Sequence, residues 1–406
     1  VAKAVEVGLP AALNVATGVQ FRRENYQIVA GEKASYIQGG HLDRNGDPAP
    51  PGSQVFGGFQ PANAVDDHRQ NIGAYLDLET NFSRAFLVNV AGRYENYSDF
   101  GSKVTGKVAF RLAPSKQVTF RGALSTGFRA PSPSQSFYGA TITNFVLDTQ
   151  TGLPKPVEGG IFPVSTPAAR ALGAKPLKAE TSVNLSAGLA VSPTARFTVT
   201  ADAFYVTIDR RIILTGVLGG DGVVDILQSH GIHNVETAQY FTNALDTRTK
   251  GVDLTATWRI PVAEGHRLEF SGGFNWTQNR IHKVIEPPEL AGTGAVLFDP
   301  YVSGGSIALE KERPEWRSTA TLDYGRGAFH SFVRSSWYGK YQTSQLSGSN
   351  CSDCVQTIGS AGLFDAEIGY LLPANLNLSI GVRNLFDKYP DRLNAWKRQD
   401  DPVDLA

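Results

Sequence analysis

The sequence lacks several features that would place it in a common class of protein. Its 38 basic and 38 acidic residues cancel, so its bulk charge does not point to a nucleic-acid partner. It contains no run of about 18 apolar residues, so it encodes no transmembrane helix. Methionine is absent, and no physical reason for that absence is apparent. None of these absences excludes a membrane β-barrel, because a barrel strand hides its apolar surface in alternate positions.

Motifs for catalysis and for cofactor binding are also missing. The chain has no G-x-x-x-x-G-K-[ST], H-E-x-x-H or G-x-S-x-G motif. His230 and His233 share the segment 210–237 with Asp221 and Asp225, but solvated loop residues are a simpler interpretation than a metal site. We therefore expect no enzymatic activity and no cofactor.

The dominant pattern is a hydrophobic period of two. In one segment Val252, Leu254 and Trp258 alternate with Asp253 and Arg259. Successive side chains of a strand point to opposite faces, so such a segment has one apolar and one polar face. The pattern predicts thirteen strands, at about 10–28, 69–82, 86–97, 102–112, 116–127, 179–191, 195–209, 238–260, 267–281, 314–324, 328–342, 360–372 and 376–386.

The connections between these strands alternate in length. The short ones are 83–85, 113–115, 192–194, 261–266, 325–327 and 373–375, and the others are mostly long: 29–68, 128–178, 210–237, 282–313 and 343–359. One connection at the long-loop end, 98–101, is short. Tight turns at one end and long loops at the other are typical of an outer-membrane barrel. A soluble sandwich has no reason to keep that asymmetry, since long unstructured loops are uncommon in compact domains.

Charge is confined to one face of the predicted strands. A lysine or arginine on a lipid-facing position costs roughly 2–4 kcal/mol at the bilayer midplane, whereas a wet lumen accepts it. A soluble antiparallel sheet would need a second layer over its apolar face, and no segment resembles that layer. The sequence therefore predicts an all-β, transmembrane antiparallel β-barrel with short periplasmic turns and long extracellular loops. The basic residues predicted to face the lumen are Arg93, Lys107, Arg111, Arg121, Arg259, Arg317 and Arg334.

Three stretches of sequence resemble a known family. The first contains RYE at 93–95, SDFG at 98–101 and GFRAPS at 127–132; the others are NLFDKYP at 384–390 and KGVDLTATWR at 250–259. Together, and in this order, they resemble the TonB-dependent outer-membrane receptors. The resemblance implies a barrel of 22 strands with an N-terminal plug inside it. Residues 1–406, with about thirteen strands, are then expected to be a partial barrel in which the plug domain and the last strand are absent.

The resemblance also implies a function. It points to a receptor in the outer membrane of a Gram-negative bacterium, surrounded by outer-membrane lipid, that takes up a scarce ligand with energy from the TonB complex through the absent plug segment. A ferric siderophore is the favoured ligand, with cobalamin, haem and oligosaccharide as the others, and no nucleic acid is involved. The alternative is a passive porin-like channel.

Site residues follow from this assignment as expectations. The lumen-facing cations would contact plug groups or an anionic ligand, although solvating the lumen and holding the plug is the simpler role for each. Ligand capture would use the long loops, because binding residues concentrate on loops over a rigid scaffold. The aromatic residues expected to contribute are Phe56, Phe59, Phe137, Tyr138, Phe145, Tyr240 and Phe298.

The two cysteines, Cys351 and Cys354, fall in a predicted outer loop. A C-x-x-C pair is compatible with a redox centre, half of a zinc site or a local disulfide. Zinc needs four ligands and a redox motif sits at a helix start, and neither context is present. Because the cell exterior is oxidising, we expect a disulfide that stabilises the loop.

Overall fold

A computed structural model describes residues 1–37, 39, 52, 57–147, 154–298, 306–344 and 355–392 of the chain. Strands dominate these ranges. In chain order they are β1 (Ala2–Val5), β2 (Leu13–Ile28), β3 (Val65–Asn81), β4 (Phe86–Tyr97), β5 (Gly101–Leu112), β6 (Val118–Arg129), β7 (Ala140–Leu147), β8 (Pro154–Ile161), β9 (Glu180–Thr194), β10 (Phe197–Leu214), β11 (Val235–Gln239), β12 (Phe241–Ile260), β13 (His266–Val284), β14 (Trp316–Arg326), β15 (Phe329–Tyr338), β16 (Tyr341–Ser344), β17 (Val355–Ile358), β18 (Ala361–Leu372) and β19 (Leu376–Val382).

Helices are short and lie in the connections between strands. The α-helices are α1 (Pro133–Phe137), α2 (Pro167–Ala171), α3 (Asp221–Ser229) and α4 (Ser306–Glu310), and single 3-10 turns occur at Lys33–Ser35, Pro61–Asn63, Pro288–Leu290 and Pro373–Asn375. No helix in the described ranges is long and apolar enough to span a membrane.

One antiparallel sheet of fourteen strands forms the body of the molecule. Its strands pair in the order β1-β2-β3-β4-β5-β6-β9-β10-β12-β13-β14-β15-β18-β19, so each strand lies beside its neighbour in the chain once the small loop sheets are set aside. The pairings are long: β12 and β13 stay in register from Leu245 opposite Val284 to Ile260 opposite Leu268, with one irregularity. Within the part of the chain that the structure describes, β1 and β19 do not pair, so the sheet is an open wall.

The predicted strands are confirmed as a pattern, with several differences in detail; for example, the segment predicted as 238–260 divides into β11 and β12, which belong to different sheets. The sheet has fourteen strands rather than thirteen, because β1 is only four residues long and too short to reveal a period of two. The segment predicted as 328–342 divides into β15 and β16, which belong to different sheets. The last strand ends at Val382 rather than at residue 386, because a turn begins at Asn384.

The alternation of short and long connections is also confirmed. At one end of the sheet, strands are joined by turns of a few residues, such as 83–85 between β3 and β4 and 261–265 between β12 and β13. At the other end, the long segments 130–179, 215–240 and 285–315 join the strands. We call the end with the long connections the outer end; the turn of three residues between β4 and β5 is the one short connection there among the described strands of the large sheet.

Apolar side chains at the middle of the strands are exposed. Val104, Leu185, Leu322, Val333 and Ile368 each show at least two fifths of their surface. In a water-soluble sheet these side chains would be covered by a second layer, since their exposure loses about 1.5–3 kcal/mol per side chain relative to burial. The sheet therefore presents a continuous apolar face that requires lipid.

The buried hydrophobic cluster lies in the loops at the outer end. Fully buried Leu172, Leu218, Leu227 and Tyr240 belong to it, along with residues of α2 and α3. A three-stranded sheet in the order β11-β8-β7 lies in the same loops. We call the structure built from 157–177, 212–244 and 287–297 the cap. The cap is folded around its own apolar core. Its loops therefore pack against one another and do not extend separately into solvent.

An ion pair crosses the polar face of the wall over a glycine. Gly188 of β9 is in register with Arg121 of β6 on one side and Asp202 of β10 on the other. The Arg121 guanidinium donates from Nε to Oδ1 of Asp202 at 2.7 Å and from Nη2 to Oδ2. A Cβ at Gly188 would lie 2.8 Å from Arg121 Nε and would collide with Oδ1 of Asp202. The pair therefore needs glycine between its partners.

We expect Gly188→Ala to destabilise the barrel wall by about 1–3 kcal/mol, because the added methyl group overpacks the space that the ion pair fills. The measurement is thermal unfolding of the protein in detergent, followed by circular dichroism. Gly273→Ala is the matched control, since a Cβ at Gly273 of β13 would meet no heavy atom within 4 Å. Equal unfolding midpoints for the two variants would contradict this account.

Candidate functional site

The polar face of the wall holds most of the predicted lumen-facing cations in hydrogen bonds. Arg93 pairs with Glu95 and donates from Nη2 to Oε1 of Gln20 at 2.9 Å. Arg259 lies 3.4 Å from Glu269, and Arg334 donates from Nε to Oγ1 of Thr321 at 3.4 Å. Like Arg121, each of these residues bonds to a side chain on another strand of the wall. A role in contacting a plug or a ligand stays a prediction for each of them.

Three of the predicted cations have no partner among the described residues: Lys107, Arg111 and Arg317. Lys107 lines an open cavity of about 630 Å³ on the polar face together with Asp77 and Arg93. Arg111 is directly opposite Arg121 in the β5–β6 pairing, so two positive charges are neighbours there. Arg121 is already paired with Asp202, and Arg111 is not paired. These unpaired charges are available to solvent or to a binding partner.

A buried arginine organises the outer end of β2, β3 and β4. The Arg69 side chain is only 8% exposed and pairs with Glu24, and its Nη1 lies 3.7 Å from Oδ2 of Asp99. The same Nη1 donates to the carbonyl oxygen of Pro131, and the guanidinium lies 5.3 Å from the Tyr97 ring centroid. We call Arg69 and these four partners the rim cluster.

The family-like motifs supply two members of the rim cluster, Asp99 and Pro131, and two rings that pack beside it. Phe100 of the SDFG motif stacks on Tyr97 with ring centroids 4.5 Å apart, and Phe128 of GFRAPS meets the same ring edge-on at 6.0 Å. Burial raises the pKa of the Asp99 carboxyl, and neighbouring Arg69 opposes this shift. Ser132 accepts a hydrogen bond from the Gln135 backbone N–H and caps α1. The motif residues therefore fix the loop that leaves β6.

The NLFDKYP motif forms a turn that ends the last strand. Asn384 and Asp387 both adopt a positive φ, at 51° and 50°. The Asn384 side chain bridges to the Lys388 backbone, accepting from N at 2.9 Å and donating to O at 3.0 Å. The Asn384 backbone N–H donates to Oδ1 of Asp365 at 3.0 Å. Asparagine suits this position because its short side chain tolerates the left-handed region and bonds locally.

The structure describes five of the seven loop aromatics predicted to contact a ligand, and for those other than Tyr240 a role in binding stays a prediction. Phe59 and Tyr138 meet edge-to-face at 6.0 Å, and Phe137 is the last residue of α1 beside them. Phe298 is half-buried near the cap. Phe145 lies in β7, but its side chain falls outside the described residues, and Phe56 lies outside them altogether.

Tyr240 is a correction to the sequence-based expectation. Its ring is fully buried in the cap core, and its hydroxyl donates to the carbonyl oxygen of Leu172 at 2.7 Å. Burial and the nearby Glu289 charge raise the pKa of this phenol. Tyr240 therefore holds the cap together and is not available to a ligand.

Two further candidates from the sequence can be placed. Within the described ranges there is no group of three or more histidine, cysteine or acidic residues that could hold a metal ion. His230 is exposed and directly follows the last residue of α3, and its Nδ1 lies 2.9 Å from the Ile226 carbonyl oxygen.

Cys351 and Cys354 lie outside the described residues, so their expected disulfide stays a prediction.

Three cavities lie near the outer end of β14–β17, and two residues or motifs that the sequence singled out line them: Arg317 lines the second, and residues of the NLFDKYP motif line the third. Their volumes are about 280, 370 and 260 Å³. The first two share Arg313 and Glu315, the first and third share Tyr341, and the second and third share Tyr338. We call these three neighbouring cavities together the β14–β17 pocket.

The rim cluster generates a prediction. Replacing Arg69 by methionine leaves Glu24 and Asp99 without their buried counter-charge, so we expect a loss of about 3–5 kcal/mol of stability and faster proteolysis within 130–139. The measurements are thermal unfolding and limited proteolysis of the purified protein.

Arg22→Met is the matched control for that experiment. Arg22 pairs with the same carboxylate, Glu24, but its side chain is 61% exposed. An exposed pair contributes only about 0–1 kcal/mol, so this variant should behave nearly as the parent protein does. If the two variants were equally destabilised, the rim cluster would not have the role described above.

Comparisons with known proteins agree with this architecture. The family model described as TonB dependent receptor-like, beta-barrel matches residues 9–385. No curated protein matches the sequence.

Solved structures with the same fold share little sequence. The siderophore receptor PirA from Acinetobacter baumannii is 13% identical, with a TM-score of 0.61 over 95% of this chain and 49% of that one. A mutant ferric enterobactin receptor, PfeA, from Pseudomonas aeruginosa in complex with enterobactin is 14% identical, with a TM-score of 0.62 over 95% and 48%. The outer membrane transporter YddB from Escherichia coli is 10% identical, with a TM-score of 0.61 over 96% and 49%.

The chain thus spans about half the length of the solved structures that it matches. At these identities the likeness establishes the fold: a large antiparallel sheet that is part of a transmembrane barrel wall. The family is established by the match over 9–385, which includes the motif stretches at 93–132 and 250–259 in full and the first two residues of NLFDKYP. This chain therefore belongs to the TonB-dependent receptor-like β-barrel family.

Proposed function

We propose that this chain forms the barrel wall of a TonB-energised receptor in the outer membrane of a Gram-negative bacterium, and that the receptor takes up a ferric siderophore. The observation that carries the proposal is the family match over residues 9–385. The fold likeness to receptors named for siderophores supports the choice of ligand over cobalamin, haem or oligosaccharide.

The two faces of the wall suit this role. The apolar face, with exposed Val104, Leu322 and Ile368, would lie in lipid. The polar face, with its arginine and carboxylate network, would pack against a plug domain on which TonB acts. The cap would stand outside the cell, where its loops meet the ligand. Receptors of this family transport ligands and do no covalent chemistry, so the proposed protein is not an enzyme.

The passive porin alternative has no particular observation in its favour. A porin needs an open lumen and no energy source, and the family match points to an energised receptor instead. The two functions separate experimentally, because only the receptor depends on TonB.

The test is deletion of the gene in its own bacterium, followed by uptake of radiolabelled iron under iron limitation with single siderophores as the iron source. We expect uptake of at least one ferric siderophore to fall to background, and a plasmid copy of the gene to restore it. A strain that carries the gene but lacks TonB is the control, and it should show the same loss.

Two results would contradict the proposal. Uptake that persists without TonB but disappears with the gene would identify a passive channel. Unchanged uptake of every ferric siderophore, combined with lost uptake of cobalamin, haem or an oligosaccharide, would keep the receptor class and overturn the ligand.

A further inference from the structure

The apolar face of the wall ends in a small group of polar and aromatic side chains at the inner end, the end that carries the short turns. On β14, Leu322, Tyr324 and Arg326 follow one another at steps of two residues, so they share the apolar face. Arg326 is in register with His266 of β13 and with Phe329 of β15, and partners in register point to the same face of a sheet. Together with Tyr370 of β18, the partner of Phe329 in register, these side chains form what we call the inner-end patch: His266, Tyr324, Arg326, Phe329 and Tyr370.

The rings of the inner-end patch are in contact with one another. His266 Nδ1 lies 2.7 Å from the Tyr324 hydroxyl oxygen, and the centroids of the two rings are 5.8 Å apart. The Tyr324 and Phe329 ring centroids are 6.1 Å apart. Rings with polar tips prefer the level of the lipid headgroups, where one end is apolar and the other is wet. The patch therefore lies where the apolar face of the wall gives way to water.

Arg326 carries a charge that has no counter-charge. Its side chain is exposed and makes neither a hydrogen bond nor an ion pair with any described residue. The acids of β13 and β14 near this end, Glu269 and Asp323, are in register with each other on the polar face. Glu264 lies in the turn before β13 and forms no ion pair with Arg326. On the apolar face the guanidinium is thus free to bind an anion.

Other turns at the inner end are basic as well. Arg84, Lys116 and Arg196 lie in three of these turns, and each is exposed and has no side-chain partner among the described residues. An aromatic residue stands near the start of the strand that follows each of them: Phe86, Phe120 and Phe197. The acids of the described turns at this end are Glu6 and Glu264. Unpaired basic residues beside aromatic rings, at the edge of an apolar face, attract anionic lipid headgroups.

We propose that the inner-end patch binds an anionic phospholipid of the periplasmic leaflet, with Arg326 and the His266–Tyr324 pair contacting its phosphate. A guanidinium binds phosphate through two parallel charge-assisted hydrogen bonds, and a hydroxyl or imidazole N–H adds another donor. One acyl chain would lie along Leu322 and Ile368, which are exposed on the same face. This inference rests on the membrane placement in the proposed function and goes beyond the transport role.

A lipid suits the patch better than a soluble acidic partner does. The free cation adjoins the Tyr324 and Phe329 rings and the aliphatic side chains of the apolar face. A phospholipid covers both parts at once, since its phosphate meets the cation while its chains meet the apolar surface. A soluble anion would satisfy the charge and leave the rings uncovered.

The test is quenching of a fluorescent label by lipid at the patch itself. Ser331 of β15 is in register with Tyr324 on one side and with Ile368 on the other, so a bimane label at Ser331→Cys reports on the lipid there. Cys351 and Cys354 are replaced by serine. The full protein, purified from outer membranes, is placed in phosphatidylcholine vesicles that contain either brominated phosphatidylglycerol or brominated phosphatidylcholine, and the quenching gives the relative binding constant of the two lipids. We expect phosphatidylglycerol to be favoured at least about fivefold, and high salt to reduce that preference.

The variants are Arg326→Gln and, as the matched control, Arg267→Gln. Arg267 is an exposed, unpaired arginine at the inner end of β13, next to His266 in the chain but on the polar face, opposite Gly325. Loss of Arg326 should lower the preference for phosphatidylglycerol about fivefold, whereas the control should keep it. Because both arginines are exposed and unbonded, both variants should unfold at the temperature of the parent protein, as thermal unfolding in detergent will check.

Equal quenching by the two lipids in the parent protein would overturn the inference and would assign the basic turns to a soluble acidic partner. An equal loss of preference in the two variants would also overturn it, because a diffuse surface charge would then replace a site. The proposed function fails separately, since lipid binding in vesicles needs no TonB. Lost, TonB-dependent uptake with equal quenching would keep the receptor and reject the lipid site. A preference that depends on Arg326, with unchanged uptake after gene deletion, would keep the lipid site and reject transport.

Discussion

Backbone hydrogen bonding in hydrocarbon is the constraint on which this structure depends. Lipid offers no partner to an N–H or a carbonyl group, so each unpaired group costs several kcal/mol. A long antiparallel ladder satisfies these groups between neighbouring strands, and the fourteen-stranded sheet does so in unbroken sequence order. The side chains are then free to differ between the faces: apolar toward lipid, and charged toward water. The cap can carry an ordinary buried core because its loops lie beyond the lipid.

The sequence predicted the wall well because the wall obeys a local rule. A period of two follows from strand geometry alone, so Val252 alternating with Asp253 indicates a strand before any pairing is known. The rule fails where elements are short or irregular. Four-residue β1 shows no period of two. In the small sheet, β8 reads PKPVEGGI, and prolines and glycines of this kind argue against a strand in the sequence.

The site was predicted less well, because a site depends on which strands meet. Tyr240 resembles a loop aromatic in the sequence, and only the packing of the cap around it shows that it is a core residue. Arg317 was placed on the polar face, but nothing in the sequence distinguishes it from Arg121, which pairs with Asp202 across Gly188. Arg313 and Lys340 are 27 positions apart and line one cavity because β14 pairs with β15.

The central claim is that one face of the wall lies in lipid and the other in water. Spin labels at Leu322 and Asp323, adjacent positions of β14, test it most directly in protein embedded in bilayers, with Cys351 and Cys354 replaced by serine. We expect the label at 322 to collide mainly with dissolved oxygen, and the label at 323 mainly with a water-soluble nickel complex. Equal access of the nickel complex to both labels would contradict the claim.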